Sequence, residues 1–290
     1  MHQRLSRVKS RSAAIRFLLS RAQFKECFAV VNQPGFRNSA LAGLQVAIAA
    51  LVVLPLIELS DFSHLIGFAS LGTLVALFGR FAAPERRGFT VFLCLLCQTA
   101  TVFVMSLVAW LELPMVGQLA ILALLCGTLF YIVTVGDFGP PGALIFIFAA
   151  SVSMGQVDTF ASVLERTTAT AVAAALAWLV VMITDVFRHD TPAAQDWFKS
   201  RPASHKLIAV ARMVLGSAVA AYVAYAFGGQ HAGWAAMGAV AVLQGSHLHI
   251  SMSRALQRTI GNVLGALLVA LVLLSQPSVW TIIGLVALLS

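Results

Sequence analysis

Residues 89–111, FTVFLCLLCQTATVFVMSLVAWL, run for 23 positions without a charge or a proline. A helix rises 1.5 Å per residue, so roughly 20 apolar residues cross a hydrocarbon core about 30 Å thick. Hydrophobicity here is continuous and does not alternate with period two, which excludes the strands of an outer-membrane barrel. Inside lipid every backbone N–H and C=O must find a partner, and a helix supplies one within the segment itself. This stretch therefore predicts a membrane-spanning helix.

Similar runs lie on both sides of it. They fall at about 41–59, 64–81, 115–135, 140–157, 165–187, 210–228, 232–248, 259–274 and 277–290. The chain as a whole is 60% hydrophobic and 10% charged, with a mean hydropathy of +0.91. Soluble domains carry about 25% charged residues, so this surface is too poor in charge to face water. The expected fold is all-α, a polytopic transmembrane helix bundle of about ten spans in an inner membrane, with the lipid bilayer as its main partner. The fifth segment opens with GDFGPPGALIF (136–146), whose Gly and Pro residues predict an interrupted or re-entrant helix.

Charge gives the orientation. With the N-terminus in the cytoplasm and the spans alternating, 18 of the 19 Lys and Arg residues fall inside and only Arg166 falls outside. A wrong span count would scramble this asymmetry. The net charge of +8 is thus a matter of topology, and no nucleic-acid partner is expected. The predicted organisation has a basic cytoplasmic segment at 1–37 and a first transmembrane repeat of six spans at 38–187. A cytoplasmic linker at 188–209 and a second, partial repeat at 210–290 follow. Residues 11–31 read equally as a basic amphipathic helix on an anionic membrane face or as a solvated tail.

The case for repeats rests on an internal echo. HLIGFASLGTLVALFGRF (64–81) and QHAGWAAMGAVAVLQGSH (230–247) align so that Gly72 and Gly79 fall on Gly238 and Gly245. Each is followed by a short basic loop (Arg86 and Arg87; Arg254 and Arg258) and another span. An even number of spans separates the copies, which makes the repeats parallel. Since the tenth segment has only 14 residues before Ser290, the second repeat is expected to be incomplete, as in a fragment of a longer protein. An open face bearing Gly261 and Gly265 would then be left beside it.

No P-loop, GxSxG, HExxH or dinucleotide fingerprint is present, so neither ATP-driven transport nor an enzyme is expected. Cys94 and Cys97 form a CxxC, but inside an apolar run with no second pair or nearby His. They read as small apolar residues, and no metal or cofactor is expected.

The most specific stretch is GQHAGWAAMGAVAVLQGSHLHISMSRALQRTIGNVLGALLVALVL, with Trp234, the polar turn Gln244 to Ser253, the pair Arg254/Arg258 and the pair Gly261/Gly265. Over about 210–275 this resembles the fusaric acid resistance family, the aromatic acid exporter group. The resemblance implies a six-plus-six helix arrangement and export of aromatic or other organic carboxylates, driven by the proton gradient. A small organic anion is then the substrate. A homo-oligomer or a periplasmic adaptor is the further partner such a protein would take. Plant malate channels are distant relatives of that family, so an organic-anion channel is one alternative reading. A non-transporting membrane scaffold subunit is another.

Residues of the right chemistry can be named. Arg254 and Arg258 lie four apart at the start of a helix, where two guanidinium groups and the unpaired N–H groups of the first turn attract a carboxylate. Asn262 extends that stripe by another four, and Gln244 and Trp234 complete the candidate substrate-binding set. The Gly261/Gly265 pair reads as a close-packing face. Trp234, Phe138 and Phe146 are candidates to stack on an aromatic substrate. Asp137, beside the interrupted segment, and His247 are the candidate proton-coupling groups. His64 and His231 begin corresponding external segments and suit a proton-responsive mouth. Asp185 closes the sixth span, where Arg188 is its expected partner.

Overall fold

A computed structural model describes residues 36–188, 203–244 and 248–289, with the backbone alone at 36, 203–204, 248–259, 273 and 286–289. Most of the basic N-terminal segment, most of the linker and His247 lie outside the described residues. Among the described residues ten α-helices follow one another: α1 (Phe36–Glu58), α2 (Ile66–Thr73), α3 (Pro84–Trp110), α4 (Met115–Gly136), α5 (Leu144–Val152), α6 (Phe160–Ile183), α7 (Ala203–Ala226), α8 (Ala232–Leu243), α9 (Leu248–Leu274) and α10 (Val279–Leu289). Short 3-10 turns flank α2 at Ser63–Leu65 and Leu74–Leu77, and another follows α6 at Asp185–Phe187.

Among the described residues, five helices are long and apolar enough to cross a membrane: α1, α3, α4, α6 and α7. Ser63–Leu77, Ala232–Leu243 and the described part of α9 are apolar but shorter. The chain is therefore a multi-pass membrane protein, helical throughout its described elements. The quoted run 89–111 lies within α3 and its C-terminal cap. That helix starts where Pro84 occupies the first turn, a place where its missing N–H costs nothing. α4 begins just after Pro114 and ends in a left-handed cap at Asp137 (φ 56°), with Phe138 N donating to Val133 O at 3.1 Å.

The segment expected to be interrupted is so. The turn at 137–143 delays α5, whose nine residues rise only about 14 Å, less than half the hydrocarbon core. α5 nonetheless turns one face inward, with Phe146, Ile147, Ala149 and Ala150 all buried. It meets the other interrupted element. Leu71 of α2, Val102 of α3 and Ala149 of α5 form one apolar cluster, and Phe78 stacks on Phe146 with ring centres 5.0 Å apart. Non-helical backbone is tolerated at this depth because protein surrounds it. Gln98 of α3, wholly buried, donates to Leu71 O at 3.1 Å, and Thr170 of α6 donates to Phe68 O at 3.2 Å.

Small residues set the helix spacing. A Cβ on Gly72 would lie 2.5 Å from Thr170 O and 2.7 Å from the Ala173 methyl, so α2 rests directly on the α6 backbone. Gly127 of α4 admits Val214 of α7 in the same way. Leu44, Leu51, Phe89, Leu124, Leu164 and Leu215 stand exposed on the outer faces of these helices, as side chains facing hydrocarbon should.

The chain divides into two compact units, one comprising 33–240 with 277–290, the other including 241–276. In the first, α10 packs on α1 through Ile283, which joins Ala50, Val53 and Leu54. In the second, residues 261–271 of α9 are exposed, and nothing described lies within 4 Å of a Cβ built on Gly261 or Gly265.

Candidate functional site

The first unit has two chemically different ends. At one end α1 begins, the 3-10 turn after α2 finishes, α3 begins and α6 finishes. Here Arg87 Nη1 donates to Asp185 Oδ1 at 2.7 Å, and Arg87 Nη2 to Ala82 O at 3.1 Å. Arg188 Nη2 donates to Gln45 Oε1 at 2.6 Å, and Gln45 Nε2 donates to Thr184 Oγ1 at 2.6 Å. Asn38 Nδ2 reaches Arg80 O at 3.3 Å. Gln45, Asn38, Arg87 and Arg188 are all buried. At the opposite end His64 Nε2 lies 3.4 Å from Glu165 Oε2, and Trp110 packs on Phe160. The turns and helix ends there carry Glu58, Asp61, Glu112, Asp158 and Glu165. Each end is assembled from the helix ends that an alternating path brings together.

At the arginine end Asp185 lies 2.7 Å from Arg87 and 3.8 Å from Arg188. Burial above all pushes the Arg188 guanidinium down to about 10. The neighbouring Arg87 lowers it further, Asp185 opposes that shift, and Arg80 adds to the lowering. Arg80 is also lowered by burial. The side chain of Arg188 has 0% exposure, and its Nη1 has no hydrogen-bond partner among the described residues. Its Nε has only the 3.8 Å ionic contact to Asp185. Arg80 Nε is likewise buried without a hydrogen bond.

The residues named from the sequence fall elsewhere. Arg254, Arg258 and Asn262 occupy successive four-residue steps of α9, so the backbone places them on one helix face. Asn262 is exposed. Gln244 follows α8 and is half-buried. Trp234, in the larger unit, is 51% exposed, stacks on His231 with centres 5.3 Å apart, and meets the edge of Phe148.

Several expectations change. Phe146 and Phe138 are buried, and Phe146 stacks on Phe78, so neither ring is open to a substrate. Asp137 stands exposed in the left-handed cap of α4, a conformation Asp adopts more readily than most residues. His64 pairs with Glu165 and His231 stacks on Trp234, so the two are engaged separately. Asp185 does approach Arg188, but its close partner is Arg87, which the sequence reading had assigned to topology alone. Gln45, the one amide in the first span, had been given no role.

Comparison with known proteins gives one match. Residues 219–290 match the family described as "Fusaric acid resistance protein-like", which bears out the resemblance read from 210–275 over that part of the chain. No curated protein and no solved structure matches.

Proposed function

We propose, from the premise that residues 219–290 match the fusaric acid resistance protein-like family, that the chain is a secondary transporter in a cell inner membrane. It exports aromatic or other organic carboxylates and couples their movement to protons. The family match carries this reading. The fold supports it with two interrupted helices, α2 with its 3-10 turns and α5, that meet inside a bundle of longer spans. Discontinuous helices of this kind are where transporters place irregular backbone against a solvated pathway.

Arg254, Arg258 and Asn262 are the proposed carboxylate ladder on α9, supported by their spacing at the start of a helix. Gln244 and the half-exposed Trp234 are proposed substrate contacts, and Asp137 and His247 proposed proton-coupling groups. The arginine-rich end of the first unit faces the cytoplasm by the positive-inside rule, which places the N-terminus there too.

Parallel repeats are part of the proposal. Shifting the bounds of α1, the segment 63–77 and α3 by 166 gives 202–224, 229–243 and 250–276. The helices found there are Ala203–Ala226, Ala232–Leu243 and Leu248–Leu274.

The test is flux of a radiolabelled aromatic acid in proteoliposomes with and without an imposed pH gradient. Gradient-dependent, saturable flux is expected. Flux indifferent to the pH gradient but following voltage would turn the reading to a channel, and no flux at all to a scaffold.

A further inference from the structure

Helix α3 holds polar atoms that its packing leaves without partners. Gln98 Oε1, Thr99 Oγ1 and Ser106 Oγ are buried and have no hydrogen-bond partner among the described residues. The side chains of Gln98 and Ser106 are wholly enclosed. A buried polar atom without a partner costs its full desolvation, and folded proteins hold few of them. The three are not scattered. Gln98 and Thr99 precede Val102 by four and three residues and Ser106 follows it by four, so all share its side of the helix. Val102 is where α3 meets both short helices, through Leu71 of α2 and Ala149 of α5. Gln98 is held there, because its Nε2 donates to Leu71 O at 3.1 Å and leaves Oε1 unused. The opposite side of α3 differs in kind. Phe92, Leu96 and Ala100 are exposed and apolar, as residues facing hydrocarbon should be.

We propose that this face of α3 lines a hydrated pathway through the first unit, in which Gln98 Oε1, Thr99 Oγ1 and Ser106 Oγ bind water. The ligand of these atoms is neutral. Residues 66–77, residues 89–111 and the whole of α5 carry no Asp, Glu, Lys, Arg or His, so an ion held here would meet no countercharge. Amide and hydroxyl groups instead exchange hydrogen bonds with water, and their spacing along one helix face suits a file of water molecules. Broken helices are where membrane proteins set irregular backbone against water, and α2 and α5 bring two of them to the same residue. The described state packs this face closed, so water reaches it when α2 or α5 shifts from α3, as a change of access requires. The pathway rests on the transport reading of the chain and adds to it the place where water crosses the first unit.

Thiol chemistry tests it in the full chain, reconstituted in liposomes with the four native cysteines replaced. The thiolate is the reactive form towards methyl methanethiosulfonate, and a thiol ionises readily only where water reaches it. The reagent is neutral and enters lipid, so it meets every variant equally. Ser106→Cys and Gln98→Cys should react at least ten-fold faster than two controls. One is Ala100→Cys, between them in sequence on the lipid-facing side of α3, and the other is Ala177→Cys, buried in α6. Ser106→Cys changes a single atom, so it decides the matter where Gln98→Cys does not fold. A rate for Ser106→Cys no greater than that of either control would overturn the pathway. Fast reaction of all four variants would overturn it too, as general loosening of the bundle. Wild-type flux in the same liposomes reports separately. Fast Ser106→Cys without flux removes the transport reading and leaves the hydrated face, whereas flux with slow Ser106→Cys removes this face from the path.

Discussion

Burial above all governs the Arg188 guanidinium, with Arg87 and Arg80 adding to its lowering and Asp185 opposing it. Asp185 accepts a 2.7 Å bond from the buried Arg87, so Asp185→Ala should destabilise the bundle by on the order of 3 kcal/mol, the cost of breaking a buried pair. Denaturation followed by tryptophan fluorescence measures it, and the double variant Arg87→Leu/Asp185→Leu should recover much of the loss. The direction of the Arg188 shift also has a consequence. A base held at about 10 in the fold, below its ordinary value in the unfolded chain, binds fewer protons when folded between the two. Stability should therefore rise with pH across that window in wild type relative to Arg188→Gln. Part of this site was legible. Asp185 and Arg188 are three apart at the end of a predicted span, and a local pair follows from that spacing. The stronger Arg87–Asp185 bond joins positions 98 apart, and no local pattern announces it.

Helices were the most legible level. An apolar run long enough to span must be a helix in lipid, and α1, α3, α4, α6 and α7 all lie where such runs were read. Hydropathy could not tell a spanning helix from a short one enclosed by others. Residues 64–81 and 140–157 are apolar because protein surrounds them, and their interruption depends on packing against α3 and α6. GDFGPPG gave the second interruption away through its backbone chemistry, while the first carries no such mark. Gly72 is the residue on which that element depends. A leucine there would drive its Cβ into the Thr170 carbonyl and the Ala173 methyl, where neither a backbone atom nor a Cβ can swing aside. Gly72→Leu should cost at least the ~1–3 kcal/mol of an overpacked core and reduce the yield of monodisperse protein in detergent. Gly67→Leu, with nothing within 4 Å of its Cβ, serves as the control and should behave as wild type. Equal yields would mean that α2 does not rest on α6 in this way.

At the scale of the whole chain, the polarity of the first unit provides a second, independent handle on orientation. The charge count places Lys and Arg on one side of a membrane without knowing which helix ends are neighbours. The contacts Asn38–Arg80, Arg87–Asp185 and Gln45–Arg188 gather the starts of α1 and α3 and the end of α6 at one pole. His64–Glu165 and Trp110–Phe160 gather the opposite ends at the other pole. Sequence alternation and tertiary contact thus divide the same residues in the same way, basic against acidic. If that pole is cytoplasmic, a cysteine introduced at Asp61, beside the far end of α1, is external, and one at Ser200 in the linker is internal. In a background with the four native cysteines replaced, a membrane-impermeant maleimide added to intact cells should label Asp61→Cys and spare Ser200→Cys. Permeabilising the cells should make both reactive. Labelling of Ser200→Cys in intact cells would reverse the orientation. Labelling of both there would break the alternation from which the poles, the repeats and the span order are all argued.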